Sequence, residues 1–312
     1  MKIGLLDVDS KIPNLALMKI SSWHKLQGDK VEHYLPLAHR FYDKIYASKI
    51  FDFSDGSDIQ PDMITGGTGI DLKISLSNEM DSMVPDYSLY NYPHNMGFTQ
   101  RGCRFKCDFC VVPQKEGKPK STNTIAELWT QRSSNFLVLL DNDFFGNPNW
   151  SDRIDEIKEF DLKVNFSQGL NIRIISERQA LALASVKFRN LNNTSKQVTF
   201  AWDKIDDEKT IKRGFQRVVD AGIKPYQMQF YVLVGFDTTP EEDMHRVMML
   251  RGWGCDPYVM PYNRDDPYQK RFGRWVNHRA IFKSCTFDEY NGDNMAIDET
   301  LFGKDLFGEP VT

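Results

Sequence analysis

Short β-rich runs alternate with helix-patterned runs along most of this chain, and that alternation restricts it to parallel sheets dressed with helices. The runs at 2–8, 30–35, 44–47 and 62–65 read as strands, the last closed by Gly66-Gly67-Thr68-Gly69. After the first of them Pro13 suits an opening helical turn, and Leu15, Met18, Trp23 and Leu26, with Ala16 and Ile20, recur at helical spacing up to Gly28. Residues 71–97 are rich in Asp, Ser, Pro, Tyr and Asn with little periodicity, and read as a connector. The alternation resumes at 98. Strands are expected at 136–140, 162–166, 198–201, 229–234 and 258–260, and helices near 122–133, 151–159, 176–185, 207–221 and 240–251. Each later strand finishes in polar or turn-forming residues, as where βα loops build a site at one face of a barrel: Asp141-Asn142-Asp143, Ser167-Gln168-Gly169, Trp202-Asp203, Gly235 and Pro261.

The 312 residues suggest roughly two domains at ~150 residues each. The division expected is 1–70, a connector 71–97, a main domain 98–262 and an extension 263–312. Hydrophobic residues make up 41% and charged residues 26%, enough apolar material for a core and too much for global disorder. The net charge of −4 argues against a general phosphate-binding coat. No apolar run approaches the ~20 residues of a membrane span. The opening Met1-Lys2-Ile3-Gly4-Leu5 lacks a signal-peptide shape, so a soluble cytoplasmic protein without membrane association is expected.

Five cysteines fall at 103, 107, 110, 255 and 285, an odd count that does not resemble a disulfide framework. Three of them sit in Arg101-Gly102-Cys103-Arg104-Phe105-Lys106-Cys107-Asp108-Phe109-Cys110, with spacing C-x3-C-x2-C. Three thiolates on one tight loop suit three irons of a [4Fe–4S] cube, leaving the fourth iron open to chelate a small molecule. A structural zinc site is the alternative. It normally takes four closed ligands, and no second cysteine pair is present to complete one. Burial of the three as small hydrophobes is a further reading, poorly matched to the interleaved Arg104, Lys106 and Asp108.

With its Phe109 before the last cysteine, this loop resembles that of the radical S-adenosylmethionine (radical SAM) superfamily, and the resemblance extends over nearly the whole chain. The implied fold is α/β: an N-terminal Rossmann-like domain of the cobalamin-binding type, then a partial (β/α)6 radical SAM barrel. The implied metal ligands are Cys103, Cys107 and Cys110, and the implied cofactors are a [4Fe–4S] cluster and S-adenosylmethionine (SAM). Asp141, Asn142 and Asp143 stand where the family meets the methionine ammonium, and Arg173 where it meets the carboxylate. Asp203 takes the place of a ribose partner, and Leu233 and Gly235 that of the segment flanking adenine. Read without the resemblance, Asp141 and Asp143 equally suit caps and turns, Gly235 a turn, and Arg173 a surface ion pair.

The implied activity is reductive cleavage of SAM to a 5′-deoxyadenosyl radical acting on an unidentified substrate, with an electron donor such as a flavodoxin or ferredoxin as partner. A methylthiotransferase- or methyltransferase-like enzyme acting on tRNA or another nucleic acid is the second reading, although no cysteine precedes Cys103 to hold a second cluster. A non-catalytic module with zinc or an inert cluster is the third. Cobalamin stays open as a cofactor. The loop Asp7-Val8-Asp9-Ser10-Lys11-Ile12-Pro13 offers no histidine for cobalt, and His24 reads as a helix-surface residue. The Gly66–Gly69 turn suits either close approach to a ligand or a plain βα turn. Within 262–283, Arg264, Lys270, Arg271, Arg274, Arg279 and Lys283 interleave with Tyr268, Phe272, Trp275 and Phe282. That mixture suits single-stranded nucleic acid, or a last helix burying its aromatics with its charges solvated.

Overall fold

The computed structural model describes residues 1–290; the end of the expected C-terminal extension, with the acidic Asp293, Asp298 and Glu299, lies outside them. The chain forms an α/β structure whose sheets are parallel, except for one two-residue antiparallel pairing of Gln100–Arg101 with Lys120–Ser121. It divides into two compact units. The smaller takes Met1–His94 with Lys106–Gly117, and the larger takes Asn95–Phe105 and the chain from Lys118 onward.

In the smaller unit, strands Lys2–Asp7, Lys30–His33, Lys44–Ser48 and Ile64–Gly66 pair in parallel, with the first strand between the second and third. Parallel neighbours need a crossover, and helix Leu15–Leu26 supplies one. Asn14 starts it by accepting the N–H groups of Ala16 and Leu17, and Gly28, with φ +80°, follows its end. Leu17, Ile20 and His24 lie on its buried face, and Leu17 and Ile20 pack against Ile3, Leu5 and Tyr46. His24 is therefore not a surface residue: it is fully buried, with Nδ1 2.6 Å from Asp29 and Nε2 3.0 Å from the Tyr46 hydroxyl.

In the larger unit, Asn95–Gly97, Phe136–Leu139, Lys163–Phe166 and Lys187–Phe188 form one parallel sheet in that spatial order. Val198–Ala201, Met228–Val234 and Asp256–Pro261 form a second, also in sequence order. A parallel bridge from Leu170 to Phe200 links the two, with the Leu170 N–H donating to Thr199 O at 2.8 Å. Helices Trp150–Glu159, Glu177–Ala184, Glu208–Asp220 and Pro240–Gly252 follow their strands at the expected places. Helix Glu208–Asp220 buries Ile211, Gly214 and Val218, spaced three and four residues apart on one face. All four side chains of Phe136–Leu139 are buried, each contributing roughly 1.5–3 kcal/mol of transfer free energy.

Two stretches depart from the sequence expectation. The connector's last residues, Asn95–Gly97, are a fully buried strand. The helix expected over 122–133 shrinks to Ile125–Leu128. Asn95 explains the second. Its amide accepts the Gln131 N–H and donates to the carbonyls of Gln131 and Ser134, bending the chain where a helix would have continued. At the C-terminal side, helices Pro267–Asn277 and Arg279–Ser284 bury Phe272, Trp275 and Phe282, while Lys270, Arg274 and Lys283 stay exposed. Among the described residues no helix is long and apolar enough to cross a membrane.

Candidate functional site

Of the three cysteines, Cys103 belongs to the larger unit, and Cys107 and Cys110 to the smaller. Between Cys103 and Cys110 the chain contains neither helix nor strand. All three cysteines are half-buried and none is in a disulfide. The Cys110 N–H donates to Cys107 O at 3.0 Å, closing a tight turn, and the Phe105 N–H reaches Cys103 Sγ at 3.5 Å. Among the described residues no three His, Cys, Asp or Glu side chains are gathered as they are around a metal ion. The case for a cluster therefore rests on donor chemistry and spacing: three soft sulfurs within eight residues, one already receiving an amide N–H of the kind that tunes a thiolate.

Around Cys103 the chain is held on both sides by the loop that follows strand Phe136–Leu139. Asp141 is buried, and its Oδ1 accepts the N–H groups of Thr99 at 2.7 Å and Gln100 at 3.0 Å. Its Oδ2 accepts the Thr99 hydroxyl at 2.5 Å. Asp143, also buried, takes the Arg104 guanidinium in a two-point grip: Nε to Oδ2 at 2.6 Å and Nη2 to Oδ1 at 2.8 Å. The Arg104 N–H adds a third contact at 3.3 Å. Asn147 donates to Thr99 O, and Gln100 donates to Gly102 O at 2.7 Å. A Cβ at Gly146 would lie 2.2 Å from Asp143 Oδ2 and 2.9 Å from Arg104 Nε, so only glycine leaves room for this pair. Asn142, between the two acids, and Phe109 are half-buried.

Arg173 stacks over Phe105, 4.6 Å from the ring centroid, and is fixed by Asp207 at 2.8 Å and Asn171 at 3.2 Å. Asp203 lies in reach of the same guanidinium. The protein packed around it pushes its carboxyl up to about 6, against the opposing pull of Arg173, Arg246 and the Leu233 backbone. Three predicted residues, Arg173, Asp203 and Leu233, thus share one neighbourhood. Gly235 has another role: a Cβ there would fall 2.1 Å from the amide of Gln269, which covers it.

Arg246 was not singled out in the sequence. It is fully buried and donates to the carbonyls of Trp202, Asp203 and Leu233 and to Asp243 Oδ1 at 2.5 Å. It ties two strand ends to helix Pro240–Gly252. The signal was an Arg three residues after an Asp on the stripe that also carries Val247 and Leu250.

The strand ends of the smaller unit are filled by the chain itself. Asp9 accepts the N–H groups of Ile50 and Phe51, both at 2.8 Å, and Asp7 accepts the Tyr90 hydroxyl at 2.6 Å. A Cβ at Gly67 would lie 2.1 Å from Lys49 O, and one at Gly69 2.5 Å from Phe51 O. These glycines admit backbone, so the turn is a close backbone contact. Beside it a cavity of about 750 Å³ mixes Asp52 and Asp71 with Lys73 and Lys115. With His24 engaged by Asp29 and Tyr46, these residues do not fit a cobalamin held through histidine.

Comparison with known protein families finds no family model that matches this chain, and no curated protein matches it closely.

Proposed function

We propose that this chain is a radical SAM enzyme, built from a Rossmann-like unit and a partial barrel and acting on a substrate that its residues do not identify. The observation that carries the reading is the C-x3-C-x2-C loop, with an aromatic before its last cysteine, following the first buried strand of a sequentially ordered parallel array. Sequential neighbours favour a barrel, whereas the reversal of strand order in the smaller unit favours a doubly wound sheet.

Cys103, Cys107 and Cys110 would hold a [4Fe–4S] cluster. When bound, the cluster supplies one electron from a flavodoxin- or ferredoxin-like donor for cleavage of SAM to methionine and the 5′-deoxyadenosyl radical. The chain's own residues orient and shield. Phe105 supports Cys103 through its N–H and presents its ring to Arg173. Asp203 and Arg173 offer a carboxyl and a guanidinium cation at neighbouring strand ends, a pair suited to a zwitterionic nucleoside. Leu233 and Tyr231 lie on the less buried face of their strand, and burial still pushes the Tyr231 phenol up to about 12, keeping it protonated. The nucleic-acid reading loses most of its stacking surface, because Phe272, Trp275 and Phe282 are core residues.

Anaerobic incubation with SAM and dithionite tests the proposal. The wild-type protein is expected to release 5′-deoxyadenosine, and the triple Cys103→Ala, Cys107→Ala, Cys110→Ala variant none. Equal product from both would refute these ligands.

A further inference from the structure

We propose that Asp141 and Asp143 are positioning residues for Cys103, and not partners of the SAM ammonium; the inference rests on the cluster reading above. The chemistry is one of occupancy. Both oxygens of Asp141 already accept from Thr99 and Gln100, and both oxygens of Asp143 accept from Arg104. The groups they hold lie at positions 99, 100 and 104, on either side of position 103. Two neighbours complete the brace: Asn147 on the Thr99 carbonyl and Gln100 on the Gly102 carbonyl.

Each contact is a charge-assisted or buried hydrogen bond, the kind that costs most when one partner is removed. Together they leave the Cys103 backbone little freedom while the metal is bound or lost. Arg104 is the link between the two functions, since it follows a predicted ligand directly and ends in the Asp143 carboxylate. Cys103 is thereby a firmly anchored sulfur, and its attachment governs how long iron is retained.

The test compares wild type with Asp143→Asn, Asp141→Asn and Arg104→Gln. The last alters a side chain that is one-third exposed, which spares the fold. The first readout uses metal-free protein: hydrogen exchange of the amides at 99–104 should quicken about tenfold or more in Asp141→Asn and Asp143→Asn. The second is release of iron to a chelator, which should be faster in all three variants. Arg104→Gln and Asp143→Asn should give similar effects, and their double variant no further one. The third is SAM affinity of the protein that keeps its cluster, which should stay within about twofold of wild type. Unchanged exchange at 99–104 would overturn the inference, and so would normal iron retention with weakened SAM binding. Wild type that takes up no iron would instead refute the cluster reading, while the exchange data would still report on the brace.

Discussion

The two units treat the carboxyl ends of their parallel strands in opposite ways. In the smaller, Asp9 caps two backbone N–H groups and glycines 67 and 69 let one loop lie directly on another, so polar groups are satisfied by backbone. In the larger, Asp141, Asp143, Arg173, Asp203 and Arg246 crowd the corresponding ends with charge, some of it buried. A folding unit has no need of so many charges at one edge, because taking them out of water costs several kcal/mol each unless they are paired. The larger unit therefore closes its strand ends with paired charges, and the smaller closes its own with backbone.

Three substitutions sharpen that contrast. The largest effect is expected from Arg246→Met, which removes the counter-ion of the buried Asp243 and leaves it only the hydroxyls of Thr238 and Tyr268; a loss of about 3–5 kcal/mol should appear in chemical denaturation. A loss under 1 kcal/mol would mean that the pair does not hold the strand ends together. Gly67→Ala comes next. It meets Lys49 O and must also adopt φ +100°, so it should cost at least about 2 kcal/mol, seen as early unfolding or proteolysis within residues 1–94. Full tolerance of the substitution would show that the loop is open to a ligand after all.

The smallest effect belongs to Asp203→Asn, and its sign depends on pH. A carboxyl raised from 3.8 to about 6 in the folded state contributes nothing unfavourable below 3.8. The penalty accrues as pH rises from 3.8, where the unfolded chain ionises first, to about 6, and is complete above that. The variant should therefore be about 1–3 kcal/mol more stable than wild type at pH 7.5 and equal to it near pH 3.5. Thermal unfolding at both values checks this. A variant less stable at pH 7.5 would show that the Asp203 carboxylate is held favourably by Arg173 and Arg246.

Much of the architecture was legible in the sequence because its strands are compact aliphatic or aromatic runs with abrupt polar ends. Residues 136–139 and 228–234 are examples, each finding its place within about a residue. Asn95–Gly97 was not legible: three residues without a β-branched side chain carry no periodic signal, and pairing with Phe136–Leu139 alone makes them a strand. Helix length at 122–133 failed for a similar reason, since the residue that cuts it short, Asn95, lies in another part of the chain. The site divides along the same line. Cysteine spacing is local and could be read directly, whereas the partner of Asp143 is 39 positions away in sequence, and nothing in either residue's neighbourhood announces it.

The most direct measurement is an anaerobic count of iron, sulfide and zinc on the intact chain. The account predicts about four irons and four sulfides per chain, lost together on substituting Cys103, Cys107 and Cys110. A single tightly held zinc, or no metal in a well-folded protein supplied with iron and sulfide, would contradict it.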